Sequence, residues 1–120
     1  LDFSNFVVSL IYQNDLTMIP AEIILQQLGG RRFIVMTGIK KYFHSNNGMT
    51  LLMHLTPNIA KAKFLAITLD ASDTYTMVFS TIQKGELVEL VRHERVYCDM
   101  LQGIFTKVTG LYTSLGTMGK

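Results

Sequence analysis

Tyr42-Phe43-His44-Ser45-Asn46-Asn47-Gly48-Met49-Thr50-Leu51-Leu52-Met53-His54-Leu55 is the stretch on which the fold turns. Two runs rich in aromatic and aliphatic residues flank Asn46-Asn47-Gly48. An Asn-Gly pair supplies the positive φ angles that a tight type I′ hairpin turn requires. Pro57 ends the returning arm, because it has no N–H to give the ladder. The spacing predicts an antiparallel hairpin with Tyr42, Leu51, Met53 and Leu55 in one register set and Phe43 and Leu52 in the other. A sheet covered by helices on one side alone buries only one such set, so the other is expected to meet a protein, a second copy included. Tyr42, Phe43, Leu51 and Met53 are the candidate protein-binding residues on this reading.

Downstream, residues 64–69 form another apolar run, and Asp70-Ala71-Ser72-Asp73 is turn chemistry whose side chains bond nearby backbone. Residues 74–82 alternate, with Tyr75, Met77 and Phe79 on one side and Thr74, Thr76 and Val78 on the other. Lys84-Gly85 turns the chain into a last strand over residues 86–92. Upstream, Pro20 and Glu22 open a short helix over residues 20–28, and Gly29-Gly30 stops it. The β-branched and aromatic character of residues 33–39 predicts a strand, with Gly38 marking a bulge. Val96, Tyr97, Met100, Leu101, Ile104, Phe105 and Val108 recur at helical steps, which predicts an amphipathic helix over residues 96–108 stopped by Gly110. The expected fold is α+β: an antiparallel β-meander of about five to six strands, a short N-terminal helix, and a C-terminal amphipathic helix packed on the sheet.

With 120 residues, 48% hydrophobic and 17% charged, the chain suits a single globular domain that needs neither disulfide nor metal. Its net charge of +2 is a milder basicity than a dedicated nucleic-acid binder carries. The single cysteine, Cys98, fits a reducing compartment, and cytoplasm is the expected location. The apolar run from Phe6 to Tyr12 is far short of the roughly 20 residues that a membrane-spanning helix needs. It also lacks the basic flank and cleavage site of a secretory signal.

Four stretches carry a resemblance. They are Ile24-Leu25-Gln26-Gln27-Leu28-Gly29-Gly30, Phe33-Ile34-Val35-Met36-Thr37-Gly38, Ile67-Thr68-Leu69, and Met100-Leu101-Gln102-Gly103-Ile104-Phe105-Thr106-Lys107-Val108-Thr109-Gly110. Together they resemble a family of small uncharacterised bacteriophage and prophage proteins. The resemblance implies no activity and no functional residues. It does imply a start near Met18, so residues 1–17 are expected to be an extension outside the native protein, residues 18–116 the α+β domain, and residues 117–120 a tail.

No catalytic set converges in the sequence. Cys98 flanks the apolar stripe of the expected helix, with Glu94 one turn before it, and is expected to be packed and inert. His44 and His54 fall on opposite faces or on one face, according to the length of the turn. Even on one face they would stand about 13 Å apart, too far for one metal ion. Asp70 with Asp73 reads as a turn, and Glu86 with Glu89 points to opposite faces of a strand. Gly29-Gly30-Arg31-Arg32 follows a helix, the reverse of the order in which glycines aim N–H groups at phosphate. No enzyme, metal or cofactor is expected.

Two binding readings follow. The first is a non-enzymatic accessory protein of a phage or mobile element, in a bacterial host's cytoplasm, that binds itself or a host or phage protein. The alternative is weak single-stranded nucleic-acid binding, with Arg31, Arg32, Lys40 and Lys41 beside the aromatic Tyr42 and Phe43.

Overall fold

The computed structural model describes residues 18–113, so the expected N-terminal extension and the tail lie outside the described residues. Helix α1 (Pro20–Leu28) and helix α2 (Arg31–Thr37) precede five strands, β1 (Tyr42–Ser45), β2 (Thr50–His54), β3 (Phe64–Leu69), β4 (Tyr75–Gln83) and β5 (Glu86–Val96). A 3-10 turn (Cys98–Met100) then leads into helix α3 (Leu101–Thr109). The strands pair antiparallel in the order β1-β2-β3-β4-β5, which is the expected meander. The helices lie together against one face of the sheet.

Helix α1 starts as its sequence requires. Pro20 occupies the first turn, and the Glu22 carboxylate accepts the Ile19 N–H at 3.1 Å, satisfying a donor that the helix leaves open. The helix ends at Gly29, whose N–H donates to the Gln26 carbonyl.

Residues 31–37 correct the sequence reading: they are a helix, not a strand. Phe33 and Thr37, one turn apart, are both buried, and the Thr37 hydroxyl donates to the Phe33 carbonyl at 2.8 Å. Gly38, at φ 74, is a left-handed helix stop and not a bulge, and its N–H returns to Ile34. Burial of Phe33 in the helical layer outweighs a β-propensity that spans only about 1 kcal/mol.

The hairpin turn is also longer than the type I′ turn expected at Asn47-Gly48. Ser45 pairs Thr50, which leaves a four-residue loop, and Asn46, Asn47 and Gly48 all take positive φ. The loop serves a tertiary contact: the Gly48 carbonyl accepts the Ala21 N–H at 2.9 Å and so holds the start of α1. The two-residue turn with positive φ at both positions is Lys84-Gly85, at φ 52 and 80. Strand β5 runs on to Val96, which is buried opposite Tyr75, so the last helix begins later than its periodicity predicts.

The core lies between the helices and the inner sheet face. Leu51, Met53, Leu65, Ile67, Met77 and Phe79 meet Ile24, Leu25, Leu28, Phe33, Leu101 and Phe105, all fully buried. Phe33 and Phe105 meet edge to face with centroids 5.0 Å apart, which joins α2 to α3. Tyr75 ties the layers together: its hydroxyl donates to Gln27 Oε1 at 2.8 Å, and Gln102 Nε2 donates to the Gln27 carbonyl at 3.0 Å.

Burial pushes the Tyr75 phenol above its ordinary range, and the Gln27 hydrogen bond only partly opposes the shift. A folded-state pKa above the unfolded value favours the protonated form in the fold. That stabilisation is complete below about pH 10 and is lost as the pH rises through the folded value. Chemical unfolding between about pH 8 and 11.5 should therefore show wild type losing stability more steeply at the alkaline end than Tyr75→Phe. Equal slopes would remove Tyr75 from the account.

Candidate functional site on the outer sheet face

Strand alternation sends one side chain of each pair to the core and the next to the opposite face. The outer face can be read as rows across the five strands. One row is Phe43–Leu52–Ala66–Val78–Arg92, each residue the register partner of the next. The adjacent row is His54–Phe64–Ser80–Glu89. Lys41 extends it past β1, because its carbonyl accepts the His54 N–H at 2.9 Å. On the other side lies a polar row, in which the Thr50 and Thr68 hydroxyls bond at 2.8 Å and Thr76 donates to Asp70 at 2.6 Å.

No described helix covers this face. Phe43 is 43% exposed, and beyond the rows Ile82 is 40% and Leu87 66% exposed. With Leu52, Phe64 and Ala66 these residues line an apolar hollow of about 260 Å³. Rings run along its margin: Phe43 and His54 have centroids 6.0 Å apart, and His54 meets Phe64 edge-on at 5.0 Å. His54 and Phe64 also line a second hollow of about 470 Å³ with Pro57, Asn58, Lys61 and Lys63. Asn58 shapes that loop by donating to the carbonyls of Thr56 and Ala62, both at 2.8 Å, while accepting the Ala62 N–H at 3.2 Å.

Charge is distributed unevenly over the face. Lys40, Lys41, Lys61 and Lys63 are exposed at the end where β1 and β3 begin. Among the described residues the ion pairs are those of Arg92 with Glu89 at 3.0 Å and Glu94 at 3.3 Å, so none of these lysines has a carboxylate partner. The acidic side chains of β5, Glu86, Glu89 and Glu94, lie at the opposite edge of the sheet.

The expected protein-binding set divides. Phe43 is on the outer face, but Tyr42, Leu51 and Met53 are buried on the inner one, facing α1, and are core residues. The two register sets were legible in the sequence; which of them the helices cover was not. Of the basic set, Arg31 and Arg32 are exposed in the first turn of α2, while Lys40 and Lys41 follow its end. The intervening helix is about 10 Å long, and Arg31 and Arg32 stand at the far end of it from Lys40 and Lys41. His54, Phe64, Lys61, Lys63, Ile82 and Leu87 were missed as site residues. The signal for His54, Phe64, Ile82 and Leu87 was the parity shared with Phe43 and Leu52 along each strand, whereas Lys61 and Lys63 precede β3 and carry no such signal.

His44 pairs Leu51 and so lies on the opposite face from His54, while His93 pairs Met77. Cys98 is exposed in the 3-10 turn and not packed as expected, because the helix starts after it. Among the described residues no three His, Cys, Asp or Glu side chains gather in a metal-binding group. None of the described helices is long and apolar enough to cross a membrane.

Comparison with protein-family models, with curated proteins and with solved structures returns no match for this chain.

Proposed function

We propose that this chain is a non-enzymatic accessory protein that acts by docking a protein on the outer face of its sheet. The observation that carries this reading is the exposed apolar strip of Phe43, Ile82 and Leu87 on the helix-free face of a five-stranded sheet. Aromatic and aliphatic groups in a hollow with a charged rim have the composition of an interface centre, where water leaves apolar surface and the rim sets orientation. A role in a phage or mobile element is part of the proposal and is supported by the sequence resemblance alone.

A Phe43→Ser, Leu87→Ser double variant tests the reading. Both side chains are exposed, so stability should change by no more than about 1 kcal/mol. Tagged wild type and variant are then isolated from the native cell and their co-isolated proteins quantified. A protein, the chain itself included, held by wild type and lost at least about tenfold by the folded variant supports the face. Identical sets would refute it.

A further inference from the structure

We propose that the occupant of the outer face is a second copy of this chain, related by a two-fold axis running along the middle strand, β3. The proposal rests on the reading above that the face docks a protein, and it adds who the partner is and how it sits.

The order of residues in the two rows is complementary to its own reverse. A two-fold axis parallel to the strands and centred over β3 lays β1 of one copy over β5 of the other. It keeps each row over the same row, reversed from end to end. The row Lys41–His54–Phe64–Ser80–Glu89 then meets its own reverse. Lys41 falls over Glu89 of the second copy, His54 over Ser80, and Phe64 over Phe64. The row Phe43–Leu52–Ala66–Val78–Arg92 does the same. Phe43 falls over Arg92 of the second copy, a cation–π pairing, Leu52 over Val78, and the small Ala66 over itself at the axis. Every unlike pair occurs twice, as a closed two-fold interface requires.

The other two-fold choice, with its axis across the strands, lays β5 over β5. It brings the Glu89 and Glu94 carboxylates of both copies together and leaves Lys41 opposite the uncharged Ser45 end of β1. Charge therefore selects the axis along β3. Within one chain Lys41 has no carboxylate partner, while Glu89 is engaged only in an exposed pair with Arg92 that rearranges easily.

Size sets the strength. Five strands about 4.8 Å apart and about six residues long present roughly 500 Å² per copy. Two copies bury about 1,000 Å², at the small end of specific interfaces, so the dimer is expected to dissociate in the micromolar range.

Sedimentation equilibrium on the purified full chain from about 1 to 500 μM tests this. Wild type should move from monomer to dimer across that range. Lys41→Glu alone and Glu89→Lys alone should each weaken the dimer at least about tenfold, because like charges then face each other twice. The Lys41→Glu, Glu89→Lys double variant should return to within about threefold of wild type, because the pair is restored with reversed sign. Both positions are exposed surface, and circular dichroism melting confirms that each variant is folded.

A monomer at every concentration overturns the proposal, as does a dimer that the single variants leave intact or the double variant fails to rescue. Salt-dependent binding of a labelled single-stranded oligothymidylate, lost in Lys41→Glu and not regained in the double variant, would also overturn it and assign the face to nucleic acid. A monomer that still captures another protein through Phe43 and Leu87 would refute the second copy while leaving the docking face standing.

Discussion

Phe105→Ala is expected to lower the unfolding free energy by about 3–5 kcal/mol, the range for removing a fully buried phenylalanine ring. Phe105 is wholly inaccessible, and its ring meets the edge of Phe33 across the boundary between α3 and α2. Removing it exposes a cavity that neither helix can close easily. Both helices are short, nine and seven residues, and are held at their ends by glycines in left-handed geometry. Isolated helices of that length are unstable in water, so their order depends on this contact. The melting temperature should fall by roughly 12 °C or more at about 4 °C per kcal/mol. Urea denaturation checks it; a loss under about 1 kcal/mol would show that the helical layer does not rest on the Phe33–Phe105 pair.

Gly48→Ala should cost about 2–5 kcal/mol, from two separable causes. Gly48 has φ 85, where a Cβ adds about 1–2 kcal/mol of backbone strain. That Cβ would also stand 3.1 Å from Cβ of Ile19, a branched residue fixed at the start of α1. Overpacking of this kind adds roughly 1–3 kcal/mol, and relieving it would stretch the hydrogen bond from Ala21 to the Gly48 carbonyl. Gly85→Ala is the control. Gly85 has nearly the same φ, 80, but a Cβ there would meet nothing within 4 Å. It should lose only the conformational part, about 1–2 kcal/mol. Equal losses at the two glycines would show that the Ile19 contact carries no weight.

How far the fold was legible depended on whether local preference and tertiary packing agreed. They agreed over β1 to β5: the period-2 pattern around Met77 and Phe79 specified the strand and which residues share a face, and the turns at Asp70-Asp73 and Lys84-Gly85 fell where read. They disagreed at residues 31–37, where the β-branched content spoke for a strand. The Phe33–Thr37 spacing and the stop at Gly38 spoke more quietly for a helix, and contact with Phe105 decided it. At Asn46-Asn47-Gly48 the turn residues and the register were right but the loop length was not, because it answers to Ile19 and Ala21, distant in sequence. The site suffered the same limit. Period 2 separates Phe43 and Leu52 from Tyr42, Leu51 and Met53, yet only the position of α1 reveals which set it buries.

The central claim is that the outer sheet face works against a protein. Site-specific photocrosslinking in the native cell tests it most directly. A photoreactive benzoylphenylalanine replaces Phe43, and for comparison it replaces Val35, which is 67% exposed on α2, an element that contributes nothing to the rows. Irradiation should convert the Phe43 variant to a discrete protein adduct, with mass spectrometry placing the crosslinked peptide, and the Val35 variant should give none. An absence of protein adducts at position 43, or the same adducts from both positions, would contradict the account.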